Sequence, residues 1–253
     1  MPDAGHAILV GELKKAVTAA TSWGASYTPS NPDLLITAMQ ATIDAAEDAL
    51  DDVQDKVSPY RMSTAAAEDG FVSLSGLVVS CQKQAKAQGC PPSFLDDLNT
   101  PARKIKGQRA KPKPKVTPPT GSDDLPADPP PAPEDPDTVS ASQMSRQQRI
   151  EHFDEFISLL DAQPLYNPHE TEFKIVTLQA NSGNLQTLVD TVATNFAQMQ
   201  TSKGFRNDAL YEATPNVLAT GRAFKAYVEG KWGRQSPEWN LIKALKFVDN
   251  RRP

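Results

Sequence analysis

Two stretches of this chain carry the same ladder of apolar positions. In the first, Ile36, Met39, Ile43, Ala46, Leu50, Val53 and Val57 follow one another at alternating steps of three and four residues. In the second, Ile175, Leu178, Ser182, Leu185, Val189, Val192, Phe196 and Met199 do the same. Steps of three and four place side chains on one face of an α-helix, so each stretch predicts a long helix with a single buried seam.

The segments that precede the two seams also correspond. "YTPSNPDLLITAMQA", starting at Tyr27, aligns without gaps on "YNPHETEFKIVTLQA", starting at Tyr166, pairing Pro29 with Pro168, Ile36 with Ile175 and Gln40 with Gln179. A proline at a helix entrance removes a donor that the backbone leaves unsatisfied there, and Asn31 or the Thr171 hydroxyl is placed to cap the remaining amides. Asp33 and Glu172 fall in the first turn, where the helix dipole favours negative charge. Tyr27 and Tyr166 are expected to pack their rings across a bundle end.

A seam of this length needs neighbours to cover it. Each half supplies a shorter amphipathic stretch before its tyrosine: Ile8, Leu9, Leu13 and Val17 with Trp23 in the first, Phe153, Phe156, Ile157 and Leu160 in the second. Each also supplies a third helix, over about 62–86 and 207–229, and a short fourth, over about 92–105 and 237–248. Breaks are expected at Ser58-Pro59, at Gly89-Cys90-Pro91-Pro92, at Lys203-Gly204 and at "GKWGRQSP". The expected fold is therefore all-α: two tandem homologous four-helix bundles, over 1–110 and 144–253, arising from an internal duplication.

Between them, 111–143 reads as an extended, proline-rich linker, with ten prolines over 111–137. Such a run neither holds a helix nor donates a regular ladder. Its charge is split, basic from Arg103 to Lys115 and acidic from Asp123 to Asp137. The net charge of −5 has its source here: 116–140 carries 6 acidic and no basic residues, while 1–115 carries 13 of each sign and 141–253 carries 12 acidic and 13 basic. Neither half projects a field that would steer it to nucleic acid or an anionic membrane.

No basic leader precedes the short apolar run at Ile8 to Val10, and no run approaches a membrane span, so a soluble protein, cytoplasmic by default, is expected. Cys81 and Cys90 lack the spacing of a zinc or redox pair. They read as two thiols, with a disulfide closing the turn between them as the alternative.

Candidate chemistry is sparse. His6, His152 and His169 form no metal or acid–base pattern, with His6 near a frayed terminus, and neither a phosphate loop nor a nucleophile elbow is present. No catalytic, cofactor or metal residue is therefore assigned. Asp44, Glu47, Asp48, Asp51, Asp52 and Asp55 lie away from the first seam and read as a solvated face. Trp232 and Trp239, flanking the polar turn "GRQSPE", are candidate interaction anchors. Lys111, Lys113 and Lys115 are candidate phosphate contacts, together with the basic bundle ends around Lys104 and Arg251. The expectation that follows is a non-enzymatic structural or scaffolding protein that engages repeated sites, protein subunits or copies of itself. The alternatives are a nucleic-acid-associated protein and a carrier with a small-ligand or metal pocket inside a bundle.

Overall fold

A computed structural model of the chain describes residues 4–107, 145–249 and 251. The linker, with Lys111, Lys113 and Lys115, lies outside the described residues. Among those described, every regular element is helical: α1 (Ala4–Ser22), α2 (Ile36–Ala87), α3 (Pro92–Ile105), α4 (Arg146–Asp161), α5 (Ile175–Asn207), α6 (Val217–Trp232) and α7 (Pro237–Ile242). The all-α expectation is met.

The seams are buried as their spacing requires. Met39, Ile43, Ala46 and Val53 are buried on α2, and Leu178, Ser182, Leu185 and Met199 on α5, although Phe196 is exposed. Their entrances match in detail. Short 3-10 turns, Pro32–Leu34 and Thr171–Phe173, precede Ile36 and Ile175 at the same distance from each tyrosine. Asn31 caps the first turn by accepting from the Asp33 amide, whereas the second carries no side-chain cap. The expected Thr171 cap is not made.

Two expected breaks are absent. α2 runs through Pro59 as one helix of 52 residues. A proline inside a helix forfeits one backbone bond and costs ~3 kcal/mol. The carbonyl that loses its donor is that of Asp55, an exposed residue, and beside the proline Asn195 Nδ2 donates to the Pro59 carbonyl at 3.3 Å and the Tyr60 ring meets Phe196 at 5.6 Å. α5 likewise continues past Gly204, since a single glycine costs a helix only ~1 kcal/mol. It ends in a π-type turn, Asp208–Glu212, in which the Ala213 amide reaches back to the Asp208 carbonyl.

The unbroken α2 changes how the segments group. One compact unit comprises Met1–Ser63 with Ala193–Pro253, the other Thr64–Val192. The units thus do not follow the halves 1–110 and 144–253: each draws on both. The separate third helix expected over 62–86 is the continuation of α2, and the fourth helix of the second half is shorter than expected, ending at Ile242.

In the first unit, Leu9, Leu13, Met39, Ile43, Leu210 and Phe224 form the centre of the core, joining α1, the start of α2, the π-type turn and α6. In the second, Leu74, Val78 and Cys81 of α2 meet Leu98 of α3, Phe153 of α4 and Leu178 of α5. Arg149 fastens this core from α4, donating to the carbonyls of Ile105 and Phe71, both at 3.1 Å. Burial lowers its pKa from the ordinary arginine range. Both cysteines belong to this second core as free thiols. Among the described residues no helix is long and apolar enough to cross a membrane.

Candidate functional site: an aromatic corner and an apolar groove

Where α1 ends, the chain turns through Trp23 and Tyr27 and meets the last turns of α6. The Tyr27 ring packs edge-on to Tyr227 at 5.3 Å, and Trp23 lies 5.0 Å from Trp232 and stacks parallel to Phe224 at 5.9 Å. Lys231 reaches into this corner. Its ammonium donates to the Ser26 carbonyl (2.5 Å), the Thr28 hydroxyl (2.9 Å) and the Tyr227 hydroxyl (3.1 Å), and stands 4.8 Å over the Trp232 ring. All three ammonium protons have an acceptor, and the charge rests on an aromatic face. α6 can stop here because Gly233 adopts φ 80°, a conformation that glycine reaches without strain.

This places the two tryptophans. Trp232 is half-buried within the corner, and Trp239 is half-buried against the same core with the Lys225 ammonium 5.5 Å over its ring. The pattern read from sequence brings Trp232 to Trp23 and Tyr227, but it does not bring Trp239 into that cluster.

Titratable groups in the cores are satisfied or suppressed. His6, expected near a frayed end, is buried in α1, with Nδ1 2.8 Å from the Tyr211 hydroxyl. Glu12 is buried too. Burial works to raise its pKa, but hydrogen bonds from Lys15 and from the Lys246 amide prevail, and the net displacement is downward. The Cys81 thiol is pushed up to about 11 by burial, against the lowering effect of its hydrogen bond with Tyr166. A thiol so displaced is almost wholly protonated at neutral pH and a poor nucleophile. Burial raises Cys90 as well.

The acidic run lies on the outer side of α2. Asp44, Asp48, Asp51 and Asp55 are exposed, and Glu47 pairs with Lys14 at 2.5 Å. Among the described residues no group of three or more histidine, cysteine or acidic side chains is placed to hold a metal. The basic ends are engaged as well: Lys104 pairs with Glu155, and Arg251 pairs with Asp249 and with Glu212. Its bond to Asp249 is the main reason the Arg251 pKa is raised.

A different feature of the first unit is open. Ala38, Ala41, Thr42 and Ala45 of α2 line a groove of about 490 Å³ together with Phe205, Asp208, Ala209, Ala213 and Pro215. Phe205 is 60% exposed although it is a large apolar side chain. Thr42 spends its hydroxyl on the Ala38 carbonyl, so the floor offers no unsatisfied hydroxyl. Asp208 and Ala209, which line the groove with the α2 alanines, belong to the π-type turn at the end of α5.

Sequence reasoning passed over this groove. Its signal was legible only in part: alanines at 38, 41 and 45 sit beside the seam rather than on it, and Phe205 falls off the second ladder. What the pattern did not contain is the π-type turn whose residues line the groove with them. Comparison with protein-family models, with curated proteins and with solved structures finds no match to this chain.

Proposed function

We propose that this chain is a non-enzymatic scaffold whose helical surfaces bind protein, with the groove between α2 and the end of α5 as a principal contact. The observation that carries the reading is the exposed Phe205 beside a nearly all-apolar groove of about 490 Å³. Leaving such a surface in water forgoes ~25 cal/mol for each Å² that a partner would cover, and exposed apolar patches of this kind mark interaction sites.

The duplication belongs to the same proposal. Tyr27 donates to the carbonyl seven residues on, at Leu34, and Tyr166 does the same to Phe173. Two similar helix entrances on one chain, joined by a proline-rich linker, suit a protein that engages repeated sites, because linkage raises avidity without new contacts. Trp232 enters this reading only as support for the corner that orders α6.

The test is the native mass of the protein isolated from its own source, for the wild type and for Ala45→Trp. Ala45 is exposed, so a tryptophan there fills the groove without entering the core. A stoichiometric protein complex or homo-assembly in the wild type, lost in Ala45→Trp, supports the proposal. An identical monomer from both overturns it.

A further inference from the structure

The groove has a charge pattern that bears on what occupies it. Asp208 is the charged residue in its wall. Asp44 lies three positions after Ala41 and Asp48 three after Ala45, which makes them surface neighbours of the alanine stripe along one helix. Both are exposed. Asp44 accepts a bond only from the neutral Gln40 side chain, at 2.8 Å. Among the described residues no lysine or arginine pairs with Asp44, Asp48 or Asp208. Among the described residues these three carboxylates thus have no ion-pair partner, whereas Glu47 and Glu212, on the same elements, each have a cation.

The walls also select a shape. Ala38, Ala41 and Ala45 repeat at steps of three and four, so α2 presents a strip of small side chains in which Thr42 is the bulkiest. A second helix can lie close to such a strip, at an interaxial distance near the lower end of ~8–10 Å. Phe205 lines the same groove as an aromatic wall for apolar side chains spaced over two turns.

We infer that the groove between α2 and the end of α5 receives a basic amphipathic helix of a partner protein, its apolar face against Ala41, Ala45 and Phe205 and its lysines or arginines beside Asp44, Asp48 and Asp208. This inference rests on the groove being the protein-binding surface. It adds the conformation and charge of the occupant.

Binding of fluorescein-labelled synthetic peptides to the full chain, followed by anisotropy, tests it. One peptide is a helix with leucines at steps of three and four and lysine elsewhere; the second replaces every lysine by glutamate; the third is the first interrupted by two prolines. The leucine–lysine helix is expected to bind at least about tenfold more tightly than the other two. Asp44→Asn/Asp48→Asn/Asp208→Asn should erase that preference, Ala45→Trp should weaken binding about tenfold, and Asp96→Asn/Asp97→Asn, exposed on α3 of the other unit, should leave it unchanged. Equal binding of both charge types, tighter binding of the interrupted peptide, no binding at all, or self-association of the chain that Ala45→Trp abolishes would each overturn the inference. If peptides fail while the native complex still depends on Ala45, the assignment of the occupant falls and the groove reading stands. If the native complex is also indifferent to Ala45→Trp, both fall.

Discussion

The Phe247 ring rests against the backbone of Gly221, so closely that a Cβ added at Gly221 would stand 2.2 Å from both Cδ1 and Cε1 of the ring. Phe247 follows α7, Gly221 lies within α6, and Arg222 Nε donates to the Phe247 carbonyl at 3.2 Å. Both residues are buried. A glycine that would ordinarily weaken α6 is what allows the chain beyond α7 to close over the first core.

Gly221→Ala is therefore expected to destabilise. In an open helix the change would gain up to ~1 kcal/mol from propensity, but displacing a packed ring costs ~1–3 kcal/mol, and the clash decides the sign. Gly230, in the same helix with nothing within 4 Å of an added Cβ, provides the opposite case: Gly230→Ala should stabilise by ~0.5–1 kcal/mol. Urea denaturation of the two variants checks both signs. A stabilised Gly221→Ala would mean that Phe247 does not occupy this position in solution.

Tyr27 and Tyr166 should contribute alike. Their hydroxyls donate at 2.7 Å and 2.9 Å to the carbonyls of Leu34 and Phe173, and burial raises both phenol pKa values, reinforced by Tyr227 in the first case and by the Cys81 thiol in the second. Replacement by phenylalanine keeps the ring and strands a buried carbonyl, at a cost of ~1–3 kcal/mol. Equilibrium unfolding of Tyr27→Phe and Tyr166→Phe should show comparable losses, and a near-zero loss at either would separate the two entrances that look equivalent.

These tyrosines also mark how far the sequence could be read. The entrances, the seams from Ile36 and Ile175, and α3 over Pro92–Ile105 were legible because period and proline placement are local properties. The continuity of α2 through Pro59 was not. A proline reads locally as a breaker, and the local pattern records neither that Asp55, whose carbonyl it orphans, is exposed nor that Asn195 and Phe196, distant in sequence, pack beside it. From that one difference the grouping of segments changes. The groove was hidden for a related reason, since a π-type turn has no strong residue signature and Ala38, Ala41 and Ala45 read as indifferent until Phe205 is seen to line the same groove.

Glu12 gives a dependence on pH. Its folded pKa lies below the ordinary 4.5 despite the opposing effect of burial. A carboxylate displaced downward contributes stability that is fully present above its unfolded pKa and is lost as pH falls through the folded one. In Glu12→Gln the acceptor for the Lys246 amide remains but the charge does not. The difference in melting temperature between wild type and Glu12→Gln should therefore be constant near neutrality and shrink as pH falls below about 4.5. A difference that stays level down to pH ~3 would show that the ionised form is not favoured by folding.

Lys231 poses the sharpest question about the aromatic corner, because its side chain is largely in solvent while its ammonium meets three oxygens and two rings. Solvent exposure argues for a small contribution, as with exposed ion pairs. Against that, the acceptors are a backbone carbonyl and two hydroxyls, so the cation gives up water without a second charge having to do so, and the Trp232 face adds ~0.5–1 kcal/mol. Lys231→Met keeps the apolar stem and removes the donors. It should cost about 1–2 kcal/mol, and the emission of Trp23 and Trp232 should shift to the red as the corner admits water. Lys231→Arg should recover only part of the loss, because a planar fork cannot direct protons at three acceptors arranged around a point. Full recovery by arginine would show that charge over the rings, rather than the bonds to Ser26, Thr28 and Tyr227, holds the end of α6 to the turn after α1.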